Sequence, residues 1–595
     1  MLWMPTVGLP MLMRDANCTQ LTSQETLMSA PTSSPTGGTA PSPGIAIHQQ
    51  FPMGAFGPRQ WSLSEMRRLF RWLRQLGYGR ALMVPFPIFR LEDARHTILE
   101  LGTAYQSGVT APPGFEPGTC YCPSDRYLGT PEGLARAAQF RDQARAARDI
   151  GLQLWLMIIG GLGSPAYLQD HPELGSVRSG GLFFEGTEFC PSHPQGLSHL
   201  LEFWSQQVRY MDAFEGYILG LRDACGCGCR RCQPQDKTLT RVANSFYEMI
   251  QSVRPGAPVA FLSWHVKLPE VPELARRLHP KMLVFESPRI HAIDVPMSEY
   301  LARVREWQGQ GRHVEGCIEV QENPTALLPP AYPERVARTI QTQRQAGLKG
   351  IWVSSTIAPY LFPLHLWLVP RLWDQPGREG LVEEFLTASF GAASVQPGLR
   401  YLRTTEQAWE KALGPSQVGH GFLGLFVMTF PFRLLPEKLM REGVPAQTRQ
   451  DLETAATLAA QAYEEAQTFA DSLRPFHALE ANIIAASAEV FMHRVAMRRA
   501  KLAVLDAIHA GDGEAAAAAW PGVVAACEHM VAAARNAPNT DVLAQHWRRL
   551  ELLPARVRGL ALLLPELAEH KSFRPIRQSL HISELYLDET KQKPM

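Results

Sequence analysis

Between Gly44 and Ser355, short apolar runs alternate with segments of helical periodicity, and the runs number eight. They are Gly44 to Phe51 (GIAIHQQF), Arg80 to Pro87 (RALMVPFP), Leu152 to Ile159, Tyr217 to Leu221, Pro258 to Ser263, Lys281 to Glu286, His313 to Glu319 and Gly350 to Ser355. The third, LQLWLMII, is apolar almost throughout, as a strand covered on both faces requires. The helical segments carry their own start and stop signals. Ser62 and Glu65 form a capping box; Leu63, Met66, Leu69, Phe70 and Leu73 recur at helical spacing, and Gly77 ends the segment. Thr130-Pro131 opens another, which runs to Ile150 ahead of Gly151. Eight such units over about 310 residues predict an α/β fold, a (β/α)8 TIM barrel of usual size about 250 residues or more. A doubly wound open sheet is the alternative, but no glycine-rich phosphate loop follows the first run.

The flanks divide the chain. Residues 1–43 read as a disordered leader, rich in Ser, Thr, Pro and Gly from 21 onward. The first twenty residues have no basic residue ahead of their apolar part and two prolines within it, a poor secretion signal, which favours the cytoplasm. Residues 44–365 form the expected barrel. From 366 to 595 the pattern turns helical, alanine-rich over 449–570 with breaks at Gly511, Gly513, Pro538 and Pro554, and the tail beyond Phe573 reads as extended. Lys and Arg number 58 against 57 Asp and Glu, a formal charge of +1, which offers no general attraction for nucleic acid or an anionic membrane. No uninterrupted apolar run reaches the roughly 18 residues of a membrane span. A homo-oligomer is compatible with all of this.

In a barrel of this kind, ligands bind where the C-terminal strand ends face one another. The first strand brings His48 and Gln49 there, the fourth Arg222 and Asp223, and the fifth Trp264 and His265. The sixth brings Glu286 and then Arg289, the seventh Glu319 and then Glu322, and the eighth Trp352. Asp223, Glu286 and Glu319 are the candidate catalytic carboxylates. Cleavage of a glycosidic bond needs two carboxyl groups flanking an acetal carbon, one to protonate the leaving oxygen and one to attack or to activate water. Tryptophan faces suit sugar rings, while His, Gln and Arg suit hydroxyls and carboxylates. Plainer readings stand beside these. Asp223 can pair with Arg222 and Glu286 with Arg289; Glu315 and Glu322 rival Glu319; Trp264 and Trp352 can plug the core, and His48 can be a satisfied core histidine.

Seven of the ten cysteines fall between Cys120 and Cys232, too clustered for a disulfide framework. Cys225, Cys227, Cys229 and Cys232 supply enough thiolates for a structural zinc bracing the loop after the fourth strand. Thiols packed with Cys120, Cys122 or Cys190 are the alternative. Four thiolates leave no open position for a catalytic metal, so catalysis is expected to need no cofactor.

The run DACGCGCRRCQP after an apolar strand resembles the Gly/Cys-rich segment of alpha-glucuronidase-like and beta-hexosaminidase-like barrel glycosidases. FCPSHPQGLSHLLEFW (189–204) is similar to the segment that precedes it in the same group. The resemblance implies a glycoside hydrolase with a helical domain after the barrel and, by position, carboxylates at Asp223, Glu286 and Glu319. Two features depart from the pattern. Leu221-Arg222-Asp223-Ala224 stands where hexosaminidases carry His-x-Gly-Gly-Asp-Glu, and no N-terminal β domain precedes the barrel. The expected activity is removal of a terminal sugar from an oligosaccharide or glycoside. A non-catalytic carbohydrate-binding protein on a degenerate barrel and a metal-dependent hydrolase are the rivals.

Overall fold

The computed structural model describes residues 42–49, 63–83, 131–159, 171–176, 189–210, 212–220, 227–263, 266, 268–287, 289–290, 293–294, 297–319, 332–355, 363–413, 435, 437–536 and 553–572. The leader and the tail expected at the two ends lie almost wholly outside these residues.

Eight strands form one closed sheet. They are β1 (Ser42–Gln49), β2 (Tyr78–Met83), β3 (Gln153–Ile159), β4 (Gly216–Gly220), β5 (Val259–Leu262), β6 (Leu283–Glu286), β7 (Val314–Glu319) and β8 (Ile351–Ser355). Each pairs in parallel with its sequence neighbours, and β1 pairs with both β2 and β8, which closes the ring. Each strand is followed by a helix: α1 (Leu63–Leu76), α2 (Pro131–Asp149), α3 (Pro194–Tyr210), α4 (Gln235–Val253), α5 (Val271–Arg277), α6 (Met297–Gly309), α7 (Pro333–Gln345) and α8 (Leu364–Asp374). A two-stranded ribbon, Arg289–Ile290 with Ile293–Asp294, sits between β6 and α6.

The local chemistry explains the punctuation. Gly77, Gly151 and Gly347 close α1, α2 and α7 at φ of +106°, +78° and +76°, left-handed values that a side chain disfavours. The strands match the apolar runs because each is covered twice, by the lumen and by a helix.

Beyond α8 the regular elements among the described residues are all helices, the α-helices being α9 (Leu381–Phe390), α10 (Val395–Leu413), α11 (Glu437–Glu442), α12 (Ala446–Leu473), α13 (Ala478–Ala510), α14 (Gly513–Arg535), α15 (Leu553–Gly559) and α16 (Leu564–His570). They do not start at 366, since α8 runs through that boundary, and the Tyr78 hydroxyl of β2 donates to the Leu366 carbonyl at 3.0 Å. Nor do they pack wholly apart. Phe385, Tyr401 and Phe469 belong to the same apolar cluster as the barrel. Glu406 of α10 accepts backbone N–H bonds from Glu334 (3.0 Å) and Arg335 (2.5 Å) and so caps α7, whose first-turn donors have no helical partner. By length and composition α14 could cross a membrane, yet its Trp520, Val523 and Cys527 are buried in the folded chain.

Candidate active site

Side chains of a strand alternate between its faces, so lumen and helix layer divide the candidate residues between them. The lumen is identified by contact. Trp155 of β3 meets Trp352 of β8 edge-on at 5.5 Å, and Phe285 of β6 lies 5.1 Å from Trp352. Arg80 of β2 stands over both indoles, 5.2 Å from Trp155 and 4.7 Å from Trp352. Its guanidinium pairs with Glu315 of β7 at 2.8 Å, and the Trp352 indole N–H donates to the same carboxylate oxygen at 2.5 Å. These side chains from five strands fill the barrel, and all but Phe285 lie in the N-terminal halves of their strands, the end associated with stability rather than catalysis. Burial alone would raise the Glu315 pKa, but His313 and Arg80 outweigh it and hold the carboxyl below its usual range.

Position 316 faces outward, because a Cβ there would stand 2.6 Å from Gln343 Oε1 of α7. Positions 315, 317 and 319 therefore share the lumen face. Glu319 is in register with Ser354, and Ser354 with His48, so these three positions form one row across β7, β8 and β1 at their C-terminal ends. Of the candidate positions, the backbone register sets 48 and 319 in one row at the C-terminal ends of their strands. Position 49, one step along β1, has the opposite parity.

Glu286 also falls on the outer face, in register with Gly316, and its catalytic assignment is corrected. It is 0% exposed. Ser263 Oγ donates to it at 2.6 Å and Trp307 Nε1 at 2.8 Å, while Arg303, itself 0% exposed, forms an ion pair with its other oxygen. Arg303 and Trp307 both come from α6, so both carboxylate oxygens are turned to the helix layer. Burial raises the Glu286 pKa against the pull of Arg303, Ser263 and Trp307. No substrate reaches a carboxylate so enclosed. The ion pair weighed as its plainer role exists, but with Arg303; Arg289 opens the ribbon instead. Trp352 is corrected likewise: at 1% exposure it packs the lumen and presents no stacking face. Arg222, Asp223, Cys225, Trp264, His265 and Glu322 lie outside the described residues.

Among the described residues the thiol cluster takes in Cys190, while Cys225 lies outside those residues. Cys227, Cys229 and Cys232 converge with Cys190, from the turn before α3, all four sulfurs lying within 4.8 Å of one another. Proximity in the sequence grouped Cys225 with the other three, and Cys190 entered only as a packing alternative. The repeated Cys-Pro-Ser at 122–124 and 190–192 was the available signal.

No family model matches the chain, and no curated protein matches it. Its structural neighbours are glycoside hydrolases. A GH138 enzyme targeting pectin rhamnogalacturonan II is similar at 10% identity, covering 89% of this chain and 68% of its own, with a TM-score of 0.52. An O-GlcNAc hydrolase from Thermobaculum terrenum matches at 11% identity over 91% and 96%, TM-score 0.43. A family 89 glycoside hydrolase from Clostridium perfringens matches at 10% over 88% and 63%, so the chain spans less than two thirds of that enzyme; the TM-score is 0.48. At these identities the likeness is one of fold.

Proposed function

We propose that this chain is a glycoside hydrolase built on a (β/α)8 barrel with a C-terminal helical domain, removing a terminal sugar at the barrel mouth. The observation that carries the reading is the placement of position 319, at the C-terminal end of β7 on the lumen face, in one row with His48. Glu319 is the principal carboxylate. With Glu286 withdrawn, Asp223 takes the second role; it follows β4 by three residues and so belongs to the same rim in sequence. His48 binds the substrate's hydroxyls. The chemistry follows from two carboxyl groups about the anomeric carbon. One protonates the leaving oxygen, and the other attacks or activates water against an oxocarbenium-like transition state. The GH138 neighbour acts on a pectin polysaccharide, and the same class of carbohydrate is a fitting first substrate here.

The test is release of nitrophenol from a panel of glycosides, uronides and N-acetylhexosaminides included, by the wild type, Glu319→Gln and Asp223→Asn. Turnover by the wild type and its loss in both folded variants supports the assignment; turnover retained in Glu319→Gln overturns it. A carbohydrate-binding protein on a degenerate barrel is the second reading, favoured by the enclosure of Glu286. It gives sugar binding that survives both substitutions and no turnover in any form.

A further inference from the structure

The structure assigns a structural zinc site to Cys190, Cys227, Cys229 and Cys232, an inference independent of the active-site reading. Zinc–thiolate bonds of about 2.3 Å in a tetrahedron set the sulfurs about 3.8 Å apart. Cys190 Sγ lies 3.8 Å from Cys229 Sγ and 3.7 Å from Cys232 Sγ, and all four sulfurs fall within 4.8 Å of one another. None of the four is in a disulfide. Cys190, Cys227 and Cys232 are buried, and with Cys229 they form an apolar cluster of their own, apart from the barrel core. Four sulfurs gathered on one point, in a patch too small to be a core, are what a tetrathiolate ion requires and what simple packing does not.

The surroundings fit the charge and orientation of such a centre. The Cys229 backbone N–H donates to Cys227 Sγ at 3.5 Å, and Ser192 Oγ lies 2.9 Å from Cys232 Sγ. Cys232 N–H closes a tight turn on the Cys229 carbonyl at 3.0 Å, setting the two sulfurs on the same side. Bound as thiolates, the four ligands give up their protons to solvent and leave the centre net negative. Arg230 and Arg231 lie within that turn, and Arg241 of α4 donates to the Pro191 carbonyl (2.9 Å) and Ser192 Oγ (2.8 Å) beside it. Hydrogen bonds of this kind around the sulfurs fix their orientation. The metal would join the turn ahead of α3 to the segment between β4 and α4. Strand β4 ends at Gly220, and the ion would hold the chain again from Cys227.

The experiment is metal analysis of the purified full-length chain, together with the absorption spectrum of its cobalt-substituted form. The wild type is expected to hold about one zinc per chain and to give the charge-transfer and ligand-field bands of tetrahedral tetrathiolate cobalt. Cys190→Ser and Cys232→Ser lose the metal, whereas Cys225→Ser and Cys317→Ser keep it. If Cys190→Ser does not fold, Cys190→His decides: zinc retained with the cobalt charge-transfer band weakened supports the site. A wild type that takes up no zinc when it is supplied, or a Cys225→Ser variant that loses it, overturns the proposal.

Discussion

Glu286 and Arg303 are both fully enclosed and joined to one another between β6 and α6. Breaking such a pair leaves an uncompensated charge in the interior, which costs about 3–5 kcal/mol, whereas replacing both partners by apolar groups is often neutral. Arg303→Met is therefore expected to destabilise the fold by several kcal/mol, and the double variant Arg303→Met/Glu286→Leu to recover most of that loss. Urea unfolding of the two single variants and the double closes the cycle. Additive losses would mean that the pair is not coupled as its geometry indicates.

Gly216 and Trp155 give the second prediction. A Cβ at 216 would stand 2.4 Å from the Trp155 ring, and the glycine's φ is not one that only glycine tolerates, so space alone forbids a side chain. Trp155 in turn holds the lumen plug with Trp352 and Arg80. Overpacking a core typically costs about 1–3 kcal/mol, and an indole pinned between an arginine and a second indole has little room to yield. Gly216→Ala is expected at or above the upper end of that range, with Trp155→Leu in the same chain restoring part of the loss. A thermal melt unchanged in Gly216→Ala would show that the plug is loose.

The strands were legible because a closed parallel sheet buries both faces, and continuous apolar runs follow from that. The same property hid the faces. When both parities are apolar, Glu286 and Glu319 look alike as terminal residues of their strands, and only the partners on α6 separate them. Arg303 and Trp307 are ordinary members of an amphipathic helix in sequence. Arg80 and Glu315 sit on strands that meet only through closure of the ring, so their pairing had no local signal. The Cys-rich run was legible as a cluster, while Cys190 depended on the path that brings the turn before α3 against the segment ahead of α4.

Two buried glutamates give opposite responses to pH. Burial raises the Glu406 pKa to about 7, above the ordinary 4.5, against the pull of the two N–H donors at the start of α7. Between pH 4.5 and about 7 the folded state keeps a proton that the unfolded chain has lost, so this group's contribution falls as pH rises through that window. Glu315 is held below 4.5, so it stabilises the fold above that pH and its contribution is lost as pH falls through the lowered value. Relative to the wild type, Glu406→Gln should flatten the stability profile between 4.5 and about 7. Glu315→Gln should flatten it on the acid side. Denaturant midpoints measured across both windows read the two slopes, and a common slope in both variants would refute the assignment.

Glu319 and Glu286 supply the comparison that separates chemistry from support. Both end a strand, but position 319 takes the lumen face and Glu286 the helix face. Removing a carboxylate that acts only in the transition state lowers kcat and kcat/KM together and leaves folding alone, whereas removing a buried structural carboxylate lowers stability and leaves turnover per folded molecule intact. Glu319→Gln is thus expected to lose at least about two orders of magnitude in kcat, the usual scale for general acid–base catalysis, with an unchanged unfolding midpoint. Glu286→Gln is expected to shift the midpoint and to keep kcat within a few-fold at a temperature where it is folded. Measuring both quantities on both variants assigns each carboxylate to one face, and the opposite pattern would return Glu286 to the active site.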